Sequence, residues 1–232
     1  MAERTITVTS YPIYKDFILK NHNILIAGSQ GSGKSTLIDC LMYSAMCKNP
    51  APTFYLIDPK RVDLRKYRNV RLVAKRVTEV DEAVDLLKDV IELMENRYRE
   101  MERLDQVKTT KNDIYVVIDE VADLILTNGK EVTPLLQRIA QLGRAAKIHL
   151  ILATQTVLAT ILSTPIKNNF DCIIGLRTAT ANQSRVIIGE NGTEKLPRHG
   201  EGIIHTPAEI KRYKLPPIPE EQLNALINFW NR

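Results

Sequence analysis

Nine consecutive residues carry the first chemistry in this chain: Gly28, Ser29, Gln30, Gly31, Ser32, Gly33, Lys34, Ser35 and Thr36. They spell G-x-x-x-x-G-K-[ST], with Gly28, Gly33, Lys34 and Ser35 in the fixed places. Glycine backbones can turn successive N–H groups inward around an anion. A helix starting at the end of such a loop adds free N–H donors and a partial positive charge. Lys34 would reach the β- and γ-phosphates, and the Ser35 hydroxyl would ligate Mg²⁺. The pattern therefore predicts an ATP and Mg²⁺ site, with Lys34 facing solvent while the loop is empty. A glycine-rich turn can match by chance, so the flanks matter. Ile24-Leu25-Ile26-Ala27 before the loop reads as a buried strand, and Leu37-Ile38-Asp39-Cys40 after it as a helix.

The other half of a nucleotide site is an acid at the end of a second buried strand. Ile114-Tyr115-Val116-Val117-Ile118 is such a strand, and Asp119-Glu120 ends it. A continuous β-branched run suits a central parallel strand covered on both faces. Asp119 is expected to hold the Mg²⁺ shell. Glu120 is expected to polarise the water that attacks the γ-phosphate. Taken alone, an Asp-Glu pair could equally be a solvated strand end.

Elements that could position these groups alternate along the chain. Strand-like runs fall at 23–28, 53–58, 70–74, 114–119, 148–154 and 171–177, with helix-like runs at 34–47, 79–104 and about 131–146. In 79–104 the apolar positions Val80, Ala83, Val84, Leu87, Val90, Ile91, Met94 and Tyr98 recur at helical spacing, as core packing requires. Thr133-Pro134 reads as a cap and first helical position, or as a local kink if the helix starts earlier. Two short strands (202–205, 210–214) and a terminal helix (220–230) follow a loop-rich stretch. This alternation predicts an α/β fold, a mostly parallel sheet with helices on both faces. The expected division is a lead-in at 1–21, a main domain at 22–215, and a Pro-rich turn with the last helix at 216–232.

Composition bounds the reading. The 232 residues are 44% hydrophobic and 25% charged, with a net charge of +5. The positive balance suits either an anionic partner or plain solubility. No run approaches the ~18 apolar residues of a membrane span, and the N-terminus has no apolar signal core. Cys40, Cys47 and Cys172 lack metal spacing and read as reduced, which predicts a cytoplasmic protein.

Five segments carry a family resemblance: ILIAGSQGSGKST, YLIDPKRVDLRKY, VVIDEVADLI, IAQLGRAAKIHLILATQ and IKNNFDCIIGLRTATANQSRVIIG. In this order and spacing they resemble the motor domain of the FtsK/SpoIIIE DNA translocases, within the HerA–FtsK group of RecA-like ATPases. The likeness covers roughly residues 22–205. It implies ATP hydrolysis coupled to moving double-stranded DNA through a hexameric ring, with single-stranded DNA or a non-cycling ATP switch as alternatives. It also implies roles for further residues. Gln155 is a γ-phosphate sensor or a buried polar strand end. Arg185 first, and Arg177 second, are candidates for an arginine that reaches a neighbour's ATP; Arg144 is a third. Asp58, Lys60 and Arg61 end a strand on the ligand-binding side or merely leave it by a turn. Where relatives read approximately GAEKLLGxGDML, this chain has Gly192-Thr193-Glu194-Lys195-Leu196-Pro197-Arg198-His199-Gly200. Lys195, Arg198 and His199 are candidates for DNA-phosphate contacts on a loop facing the pore, away from Lys34, or they belong to an ordinary surface loop. Against that resemblance the short flanks read as either a piece cut from a longer protein or a minimal motor, the latter suited to element transfer or viral genome packaging.

Overall fold

The computed structural model describes residues 11–162 and 164–231. One eight-stranded sheet runs in the order β3-β2-β4-β5-β1-β6-β7-β8. Its strands are β1 Ile24–Ala27, β2 Thr53–Ile57, β3 Val73–Val77, β4 Ile114–Ile118, β5 Ile148–Thr154, β6 Cys172–Gly175, β7 Glu201–His205 and β8 Ile210–Lys214. β3 through β6 are parallel neighbours, while β7 and β8 add on antiparallel. Every residue of β1 and β4 is buried, as the unbroken apolar runs require.

Side-chain alternation divides each central strand between two cores. Leu25 and Ala27 of β1 and Ile114, Val116 and Ile118 of β4 pack under α2 Val80–Arg103 and α3 Val121–Leu142. Ile24 and Ile26, with Tyr115 and Val117, face α1 Lys34–Met46. The segments expected as lead-in and tail share that second core. Tyr14 and Ile18 pack with Leu215, Ile218 and the α6 residues Leu223, Leu226 and Ile227 (α6 is Glu220–Trp230). Tyr14 Oη also donates to the Pro216 carbonyl at 2.5 Å.

Two expected elements are displaced. The strand expected at 70–74 is β3 at Val73–Val77. Val70, Leu72 and Val73 look strand-like in sequence, but Val70 is buried in a turn and the exposed edge strand begins after it. The helix expected at 131–146 is α3, which starts directly after Glu120 and ends at Leu142. Its interruption is at Asn128, with φ −142° and ψ 51°, and not at Thr133-Pro134. Two further helices went unread, the short α4 Thr164–Lys167 and α5 Ala181–Ile188. In α5 the Thr180 hydroxyl accepts from the Gln183 N–H, and Gly189 closes the helix at φ 86°.

Candidate nucleotide site

The sheet order brings the chemistry together. β2, β4, β5, β1 and β6 are consecutive parallel neighbours. Their C-terminal ends deliver Asp58 and Lys60, then Asp119 and Glu120, then Thr154 and Gln155, then the phosphate loop, then Leu176 and Arg177. Ligands of open α/β sheets bind at that edge.

The loop is shaped by close packing. Gly28 donates its N–H to the Thr154 carbonyl, and Ser29 donates to the Arg177 carbonyl at 2.9 Å. A β-carbon on Gly28 would come within 2.8 Å of Ser32 Oγ and 2.9 Å of Leu176 Cβ, so only glycine fits there. Gly33 takes φ 98° as the residue before α1, a conformation glycine adopts without cost. No side chain caps that helix start, which leaves its N–H donors for an anion. Ser32 Oγ is buried without a protein partner.

Lys34 is not solvent-facing, contrary to expectation. Its Nζ donates to the Gly28 and Ser29 carbonyls at 2.8 and 2.9 Å. The ammonium needs acceptors, and the loop carbonyls supply them where no phosphate is present. Burial lowers its pKa to about 8, partly opposed by the nearby Glu120 carboxylate.

One acid bonds Ser35, and others line the same cavity. Ser35 Oγ donates to Asp63 Oδ2 at 2.7 Å, so Asp63 joins the site although sequence reading passed over it. Burial, followed by the Asp63 and Asp58 carboxylates, pushes the Asp119 pKa up to about 7. Like charges crowded beside a hydroxyl form a seat for a hard cation. Among the described residues no three His, Cys, Asp or Glu groups close around a metal by themselves.

Glu120 reaches the same cavity, but its oxygens are engaged. Oε1 accepts from Thr154 Oγ1 at 2.5 Å, and Oε2 accepts from Lys60 Nζ at 2.9 Å and from the Gln155 N–H at 3.0 Å. Lys60 is therefore a site residue. Asp58 lies near enough to Asp119 to raise its pKa but is itself paired with Arg76 at 2.6 Å, and Arg61 is paired with Glu79.

Two cavities meet at the loop. One, of about 410 Å³, is lined by Gln30, Lys34, Ser35, Asp63, Asp119 and Gln155, with Lys60 and Glu120. The other, of about 400 Å³, is lined mainly by apolar groups, including Tyr14, Leu37, Cys40, Leu176, Leu215 and Pro217. Gly33, Thr36 and His199 line both. The first cavity carries charged and polar groups, and the second is an apolar pocket beside it. The apolar pocket was illegible in sequence because its walls join Tyr14 and Leu215 to residues of α1 and to Leu176.

The remaining candidates separate. Arg177 is exposed, and Arg185 bonds Asn182 Oδ1 and Asn191 Oδ1; neither lines the phosphate cavity of its own chain. Arg144 is paired with Asp171 at 2.5 Å. Lys195 is exposed at the end of a short 3₁₀ turn. Arg198 and His199 lie against the phosphate loop, so the expectation that their loop faces away from Lys34 does not hold for these two. No helix of the described residues is long and apolar enough to cross a membrane.

Comparison with known proteins agrees with this geometry. The DNA translocase FtsK of Helicobacter pylori strain J99 is 33% identical over 226 residues, covering 89% of this chain and 27% of the relative. The chain thus spans about a quarter of that relative's length. The pCW3 conjugation coupling protein TcpA, solved with ATPγS, superposes with a TM-score of 0.78 at 23% identity, over 90% of this chain and 64% of that one. The type VII secretion ATPase EccC of Thermomonospora curvata gives 0.76 at 25% identity, over 90% of this chain and 28% of that one. The fold is that of the RecA-like P-loop ATPases. The FtsK/SpoIIIE family model matches residues 5–113 and 104–158, and the chain belongs to that family.

Proposed function

We infer that this chain is an ATP-driven DNA motor of the cytoplasm that hydrolyses ATP with Mg²⁺ to move double-stranded DNA through a hexameric ring. One observation carries the reading: Lys34, Ser35, Asp63, Asp119, Glu120 and Gln155 meet in a single cavity. Relatives named as DNA translocases support DNA as the cargo, and a fold neighbour solved with ATPγS supports the nucleotide.

Each residue then has a task. Lys34 exchanges the Gly28 and Ser29 carbonyls for β- and γ-phosphate oxygens. Ser35, Asp119 and Asp63 would hold Mg²⁺, which would supply charge neutralisation at the phosphates. Lys60 leaves Glu120 for the incoming phosphate, which frees one carboxylate oxygen to take the proton of the attacking water. Gln155 holds Glu120 through its backbone N–H and lines the cavity. Arg185 and Arg177, outside their own site, suit a neighbour's site, and that makes assembly part of activity.

The test is ATP turnover alone, with linear duplex and with single-stranded DNA of equal nucleotide concentration. Duplex-stimulated turnover that Lys34→Ala abolishes is expected. Stimulation by single strands alone would replace the duplex reading. ATP binding without turnover would make the chain a switch.

A further inference from the structure

The strap between the 3₁₀ turn Thr193–Lys195 and β7 is tied down at both ends. Thr193 and Leu196 are buried, and Thr193 bonds Thr178 Oγ1 at 2.7 Å and Ser184 Oγ at 3.1 Å. At the other end Gly200, at φ 81°, accepts from the Leu215 N–H at 2.8 Å. Only Pro197, Arg198 and His199 cross between the anchors, and proline removes one backbone freedom from that crossing.

The crossing passes over the phosphate loop. A β-carbon placed on Gly31 would stand 3.0 Å from Arg198 Nη2, 3.7 Å from Nε and 3.8 Å from Cζ. The guanidinium therefore lies along Gly31, and the missing side chain at position 31 makes room for it. The same construction on Gly33 meets His199 Nδ1 at 3.8 Å. Arg198 is exposed and pairs with no carboxylate among the described residues. A guanidinium presents five donors in a planar fork suited to phosphate.

We propose that Arg198 is a phosphate ligand in cis: its guanidinium binds terminal phosphate oxygens of the nucleoside triphosphate held by its own subunit's loop, and it does not grip DNA. The inference rests on the ATPase reading above. Hydrolysis itself is unchanged. A water oxygen bonds to the γ-phosphorus, the bond to the β–γ bridging oxygen breaks with its electron pair passing to ADP, and Glu120 takes the water's proton. Arg198 forms no covalent bond; it offsets charge on the phosphate oxygens.

Two measurements test this. The affinity of each subunit for a fluorescent N-methylanthraniloyl ATP should fall about tenfold in Arg198→Ala, the worth of one charge-assisted contact. Arg198→Lys should recover part of that loss, because a lysine keeps the charge without the fork. This arm needs no turnover, so it decides the proposal even if the protein proves not to hydrolyse ATP. Unchanged analogue affinity in Arg198→Ala would overturn the proposal. The second arm mixes Arg198→Ala with Lys34→Ala subunits. A cis ligand predicts no gain in ATPase activity over the sum of the two, because no site then holds both residues. Recovered activity would place Arg198 in the neighbour's site and overturn the proposal, as would intact analogue binding with lost duplex affinity.

Discussion

At the scale of single residues, Asp119 and Glu120 are held in opposite ways. Asp119 is raised to about 7 by burial and by the Asp63 and Asp58 carboxylates. A carboxyl whose folded pKa lies above its unfolded value is costly once ionised. Its stabilising protonated form is lost as pH rises from about 4 through about 7. The nucleotide-free protein should therefore lose stability over that window. Asp119→Asn should raise the melting temperature at pH 8 and leave it nearly unchanged at pH 5, and each kcal/mol recovered is worth roughly 2–4 °C for a chain of this size. Calorimetry at the two pH values, without Mg²⁺ or nucleotide, reads this directly; equal shifts at both would refute it. Glu120 is instead satisfied by Lys60, Thr154 and Gln155. Lys60→Met leaves a buried charge short of a partner and should cost about 2 kcal/mol. Adding Glu120→Gln should recover most of that loss in a double-mutant cycle. Glu120→Gln alone should keep bound ATP and slow turnover by ~10²-fold or more, seen as ATP retained on the protein in a single-turnover assay.

At the scale of elements, the site is a row of strand ends, and small backbone changes there should matter. Gly28→Ala pushes a β-carbon into Ser32 Oγ and Leu176 Cβ. It should destabilise by roughly 1–3 kcal/mol as an overpacked position and weaken ATP binding, both measurable by thermal shift with and without nucleotide. The phosphate loop, β1 and β4 could be read from sequence because local spelling and burial demand the same structure. Asp63 could not, since it lies in a loop after β2, 28 residues from Ser35, and meets it at the start of α1 only once the sheet has formed. Nor could the apolar pocket beside the loop, which brings Tyr14 and Leu215 together across most of the sequence. The start of α3 was hidden by Thr133-Pro134, a strong local signal that a helix already under way overrides. The α5 start did carry a signal: Thr180 precedes Ala181 as a capping residue, and Gly189 follows Ile188.

For the whole molecule, the proposed function has Arg185 or Arg177 serving a neighbour's site, and subunit mixing tests it. Arg185→Ala subunits keep their phosphate loop, and Lys34→Ala subunits keep their arginine. A mixture should regain activity that neither has alone, read as ATPase rate against mixing ratio. Full activity from an isolated subunit at high dilution would contradict it. DNA grip by exposed Lys195 should be electrostatic, so affinity should fall with salt at a slope near −0.9 per phosphate neutralised, and Lys195→Ala should flatten that slope. The central claim is that the loop at Lys34 and the acids after β4 form one ATP-hydrolysing site coupled to DNA. Its most direct test is the steady-state ATPase rate of the parent chain and of Lys34→Ala, each with and without linear duplex DNA. The account predicts turnover that rises on adding DNA and is absent from a folded Lys34→Ala protein. Equal turnover by the two proteins, or a folded parent that binds ATP and never hydrolyses it with or without DNA, would contradict it.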